Sequence, residues 1–173
     1  INGTLTKNAA AVTAGSTTVG TGESLVWTPP ADQFGLIQAF TVRAYDGALA
    51  STTAIPVYID TTAVNDPPTL NQPAEPINLT EDTVTTITLT GIAAGPATAT
   101  DEAGQTLTIT STSSDTISLP NPTISYTQGQ STATLTFSPA ANVCGWFGLT
   151  TVVSDGSLTV SRGSSVYIAC VND

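Results

Sequence analysis

Carboxylates are the side chains of this chain best placed to do chemistry. They gather as Asp66, as Glu81-Asp82, as Asp101-Glu102 and as Asp155 in front of Gly156. Oxygen-rich groupings of this kind suit a hard cation such as Ca²⁺, which takes six to eight oxygens from carboxylates, amides and backbone carbonyls. An aspartate at a turn has a second use, because its side chain accepts hydrogen bonds from the amides that follow it. Both roles are open for Asp66, Asp101 and Asp155. Catalysis is poorly provided for. There is no histidine, which removes Ser-His and Cys-His nucleophile pairs. Two cysteines cannot complete a zinc site, and the acid pairs that a glycosidase would need have no aromatic cleft around them. The expected class is non-enzymatic.

The cysteines read as structural. With a turn centred near residue 157, antiparallel pairing sets residues opposite when their numbers add to about 314, as Cys144 and Cys170 do. That is disulfide range, and a disulfide implies an oxidising compartment; a register one residue away leaves two buried thiols instead.

The elements that must position these groups are strands. Apolar residues alternate with threonine in Thr85-Thr86-Ile87-Thr88-Leu89-Thr90, in Leu107 and Ile109, and in Ala133, Leu135 and Phe137. Such alternation marks half-buried strands, and no segment carries a helical period. Threonine suits the solvent face of a pleated sheet. Thirteen acidic residues stand against Lys7, Arg43 and Arg162, a net charge of −10. Nucleic acid needs Lys or Arg to displace phosphate counterions, so that partner is excluded, and an anionic membrane surface is disfavoured. No run approaches the ~20 apolar residues of a membrane span.

A phrase recurs. Trp27-Thr28-Pro29-Pro30-Ala31-Asp32, Asp46-Gly47, Val57-Tyr58-Ile59 and Val64-Asn65-Asp66 are answered by Phe137-Ser138-Pro139-Ala140-Ala141-Asn142, Asp155-Gly156, Val166-Tyr167-Ile168 and Val171-Asn172-Asp173. The two Val-Asn-Asp tripeptides lie 107 positions apart, the size of one small domain in a tandem array. About seven strands in that length is the pattern of an antiparallel sandwich. The expected fold is therefore all-β: two antiparallel Greek-key β-sandwiches in series, 1–66 partial and 67–173 complete. Pro67-Pro68 stiffens the boundary. The first unit lacks the equivalent of Leu70 to about Thr110. Either residue 1 is not the natural start, or strands from a neighbouring chain fill the gap.

Val-Asn-Asp-Pro-Pro at the junction, Thr80-Glu81-Asp82-Thr83, Thr100-Asp101-Glu102-Ala103-Gly104-Gln105-Thr106-Leu107 and Val153-Ser154-Asp155-Gly156 together resemble the cadherin-like, immunoglobulin-like tandem repeats of large bacterial surface and secreted proteins. The resemblance implies Ca²⁺ between successive domains. By position, Asn65 and Asp66 would join Asp101, with Glu102 beside it, and Asp155 at the junction between the two units. Glu81, Asn172 and Asp173 would serve the following junction, and Asp46 the preceding one.

The expected role is an extracellular, cell-surface or secreted spacer or adhesive segment. Its partners would be neighbouring repeats or identical subunits, with cell-surface or matrix polysaccharide as another. One alternative is a self-assembling filament or surface layer. Another is a carbohydrate-binding module, for which Trp146 leads the candidates, with Tyr126 and Phe147; Trp27 and Phe137 read as core residues. Asn2-Gly3-Thr4 and Asn78-Leu79-Thr80 match the N-glycosylation pattern.

Overall fold

The alternating segments fold as strands, twelve of them among the described residues, and the single helical element there is a 3₁₀ turn at Thr100–Glu102. The computed structural model describes residues 1–172. The chain divides into two compact units, Ile1–Val64 and Asn65–Asp173.

The first unit holds β1 (Thr4–Lys7), β2 (Ala10–Ala11), β3 (Val26–Thr28), β4 (Gly35–Val42) and β5 (Ile55–Thr61). They form a three-stranded sheet ordered β2-β1-β3 and a two-stranded sheet β4-β5. Its buried apolar side chains are Leu5, Ile37 and Ala39. Trp27, read as a core residue, is only half-buried, and its Nε1–H donates to the Asn2 carbonyl at 2.6 Å.

The second unit holds β6 (Ile77–Thr80), β7 (Thr85–Thr90), β8 (Thr108–Ser113), β9 (Thr123–Tyr126), β10 (Thr132–Phe137), β11 (Gly145–Ser154) and β12 (Thr159–Ala169). One sheet is ordered β7-β10-β9 and the other β6-β12-β11-β8. All pairs are antiparallel except β6 with β12. Leu89, Leu135 and Phe137 of the first sheet meet Leu149, Val153, Val166 and Ile168 of the second in one core. Each such side chain contributes about 1.5–3 kcal/mol on burial. The buried hydroxyls of Ser111 and Thr151 pair with each other at 3.0 Å, so their burial leaves no polar group unmet.

The recurring phrase is repeated in the backbone. Asp32 and Asn142 both adopt the left-handed conformation, at φ 58° and 57°, three residues before the glycines that open β4 and β11. Asp46 Oδ1 accepts from the amides of Ala48 and Leu49. Asp155 Oδ1 accepts from those of Ser157 and Leu158. The copies differ in cover. Val166 and Ile168 are fully buried, whereas Val57 and Ile59 at the same places in the phrase are half-buried. In the second unit β6, β7 and β8 help to cover that core, and the first unit has no counterpart of them among the described residues.

Candidate functional site

The junction residues are part of the second unit. Their peptide and side chains are tied to it at three points, which is why the compact units divide two residues before Pro67. The Asp66 amide donates to Glu102 Oε1 at 2.8 Å. Asn65 Nδ2 donates to Asp155 Oδ2 at 3.0 Å, and Gln105 Nε2 donates to Asn65 Oδ1 at 2.7 Å. The 3₁₀ turn carries Glu102 into this position, and β11 delivers Asp155 where it ends at the Asp-Gly hairpin.

Glu102 is 2% exposed. Gly95 lies against it, and a Cβ there would stand 2.8 Å from Glu102 Cγ. Glu102 Oε2 and Gln105 Oε1 are buried without a hydrogen-bond partner. Two orphaned acceptors near the half-buried carboxylate of Asp155 favour a positive charge over further packing. Asp155 divides its work: Oδ1 builds the hairpin and Oδ2 faces Asn65. Hydrogen bonds from the Leu158 and Ser157 amides, then from Asn65, hold its carboxyl below the ordinary aspartate value.

Of the residues singled out in the sequence, Asn65, Asp66, Glu102 and Asp155 thus come together, with Asp101 next to Glu102 in the 3₁₀ turn. Gln105 and Gly95 join them, and sequence reasoning missed both; the run Asp101-Glu102-Ala103-Gly104-Gln105 was the available signal for Gln105. Among the described residues no three His, Cys, Asp or Glu side chains form a metal-binding group. The donors are nevertheless all oxygens, two of them buried and unpaired, and in kind they fit a hard cation.

Glu81 is elsewhere. It follows β6, is 3% exposed and accepts from the Val171 amide, so it ties the second Val-Asn-Asp phrase as Glu102 ties the first. Asn172 is exposed, and Asp173 lies outside the described residues. Asp46 sits in the first unit's hairpin, its carboxyl held below the ordinary value by the Leu49 and Ala48 amides.

Cys144 and Cys170 form a disulfide with a Cα–Cα distance of 5.1 Å. They lie just beyond the β11–β12 ladder, whose last pair is Gly145 with Ile168. Two residues inward from Cys144 and three from Cys170, Trp146 stands opposite Tyr167 with ring centroids 4.9 Å apart and planes tilted by 43°. Trp146 is 66% exposed. Tyr126 and Phe147, expected as its companions, pack against the core instead.

The sequence model of the cadherin-like domain family matches residues 64–169. No curated protein matches the chain. Among solved structures, a chimeric titin Z1Z2 carrying a decorin-derived peptide is 17% identical, covering 62% of this chain and 99% of its own, with a TM-score of 0.43. Domains 4 and 5 of the S-layer protein SbsC are 17% identical over 85% of this chain and 62% of theirs, at a TM-score of 0.40. An endo-fucoidan hydrolase of glycoside hydrolase family 107 is 21% identical over 96% of this chain but only 24% of its own, at 0.42.

Proposed function

Because the chain belongs to the cadherin-like domain family, we propose that it is a non-catalytic segment of an extracellular repeat array, acting as a stiff spacer or adhesive stalk. The first unit would be a partial repeat of the same kind as the second. The observation that carries the reading is the hydrogen bond from the Asp66 amide to the buried carboxylate of Glu102. It makes the Val-Asn-Asp junction a part of a sandwich rather than a free linker, and Pro67-Pro68 restrict the next φ angles. The disulfide is supportive of an oxidising, extracellular setting. No helix is long and apolar enough to cross a membrane among the described residues.

Ca²⁺ would strengthen the junction. Glu102, Asp155, Asp66 and Asp101 would hold it, with the amide oxygens of Asn65 and Gln105. When bound, the cation supplies positive charge to oxygens that otherwise repel one another. Glu81, with Asn172 and Asp173, would do the same at the next junction, and Asp46 at the preceding one. Few charged ligands suit the ~10⁻⁴–10⁻³ M affinities of extracellular modules. At 10 mM Ca²⁺ such a site would raise stability by about 1.4–2.7 kcal/mol. Calorimetric titration of the intact chain, paired with thermal melts, tests this. Heat of binding and a higher Tm, both lost in Asp155→Asn, are expected; neither would appear if the carboxylates only shape turns.

A second reading, a self-assembling filament or surface layer, is favoured by the half-buried Val57 and Ile59 of the first unit. Strands from a neighbouring chain would cover them. Sedimentation showing concentration-dependent assembly would move the assignment there; a monomer at all concentrations would remove it.

A further inference from the structure

The outer face of the β6-β12-β11-β8 sheet carries a second constellation, unrelated to the junction. Along β11 the outward residues are Trp146, Gly148 and Thr150. Along β12 their register partners are Tyr167, Ser165 and Gly163. The exposed Trp146 and the Tyr167 ring tilted against it therefore stand at one end of a shelf floored by Gly148, Ser165, Thr150 and Gly163. A groove of about 490 Å³ lies over the shelf, bounded by Thr112 and Ser114 on the β8 side and by Glu75 on the other. Its volume falls in the ~300–1,000 Å³ range of small-ligand sites.

The glycines need explaining. Both sit inside the two longest strands, where glycine weakens a sheet, and neither has a positive φ. A Cβ on Gly163 would meet nothing within 4 Å, and one on Gly148 would only touch the Ser114 side chain at ordinary contact distance. The fold does not require them. What their absent side chains do is leave the floor open, as at sites where a ligand comes close to backbone. Gln72 ties two of the groove's lining residues together, donating to the Gly163 carbonyl at 2.7 Å and to Glu75 Oε1 at 2.9 Å. The disulfide closes the end of the hairpin that carries the aromatic pair, so the pair is held in place before any ligand arrives.

Chemistry selects the occupant. Hydroxyls and backbone line the shelf, no Lys or Arg is among its lining residues, Glu75 is its one acidic side chain, and the chain's net charge is −10. An anionic ligand is repelled, and a purely apolar one finds only the aromatic end. A ligand with a flat C–H face for an exposed Trp ring and many hydroxyls for a Ser/Thr shelf fits both halves. We propose that this face of the second unit binds a neutral polysaccharide, with Trp146 and Tyr167 stacking on one sugar and the glycine shelf taking the next. The site does not depend on the junction or on Ca²⁺.

The test is native affinity electrophoresis of the intact, disulfide-bonded chain. The gels contain soluble β-glucan, xylan or galactomannan, with alginate as the anionic comparison. Retardation by at least one neutral polymer, absent with alginate and unchanged by EDTA, is expected. Trp146→Ala should weaken binding ten-fold or more. Gly163→Val, which the open space accommodates, should weaken it similarly while thermal melts stay close to the parent's. Lack of retardation by all three neutral polymers overturns the proposal, as does undiminished binding by Trp146→Ala. Loss of self-association in Trp146→Ala, with no polysaccharide effect, would make the pair a contact between copies and overturn it too.

Discussion

Glu102 is where the junction is most sensitive to a single atom. Its Oε1 takes the Asp66 amide and its Oε2 takes nothing. Glu102→Gln keeps an acceptor for the amide and removes a buried charge. It should leave the cation-free Tm nearly unchanged while abolishing the rise with Ca²⁺. Glu102→Ala removes the acceptor as well and should cost about 1.5–3 kcal/mol, the range for hydrogen bonds to charged groups, measured by urea denaturation. Gly95→Ala should mimic it in part, because the new methyl group meets Glu102 Cγ. Glu23, held down by Lys7 and the Gly20 amide, and Asp46, Asp115 and Asp155, held down chiefly by turn hydrogen bonds, have carboxyl pKa values below ordinary ones. A depressed pKa stabilises the fold above the unfolded value, and that contribution is lost as pH falls through the folded one. These four groups add no slope between pH 5 and 8, and Tm should drop below about pH 4. A Tm that rose on acidification through that range would contradict the turn assignments.

At the scale of elements, strands and turns were legible because alternation of apolar residues with threonine marks a half-buried strand and Asp-Gly marks a turn, whatever else the aspartate does. The β11–β12 hairpin shows how far such reading goes. Its ladder pairs Ser154 with Thr159 and Gly145 with Ile168, one residue from the register inferred from the turn. The disulfide forms regardless, because both cysteines lie past the ladder's end, where the backbone is not held to strict opposition. That same register hid Tyr167 as the partner of Trp146. Nor could alternation disclose that Glu102 turns inward, since its burial depends on Gly95 and the 3₁₀ turn rather than on any period. Replacing both cysteines by serine should cost the second unit about 3–4 kcal/mol on the chain-entropy model for a loop of this length, seen as a lower urea midpoint that reduction of the parent reproduces.

For the whole molecule, the chain divides into two compact units, Ile1–Val64 and Asn65–Asp173, and the two copies of the duplicated phrase are unequally covered. Ile168→Ala opens a cavity in a closed core and should cost about 2–5 kcal/mol. Ile59→Ala, at a half-buried position, should cost less than half as much in the isolated chain. Equal costs would mean the first unit's core is closed in solution.

A spacer requires that Asn65 and Asp66 move with the sandwich to which they are bonded. Backbone ¹⁵N relaxation of the intact chain measures this directly. Order parameters near ~0.85 at both residues, like those of β11 and β12, are predicted with or without Ca²⁺. Values under ~0.6 would show a loose tether and contradict the account.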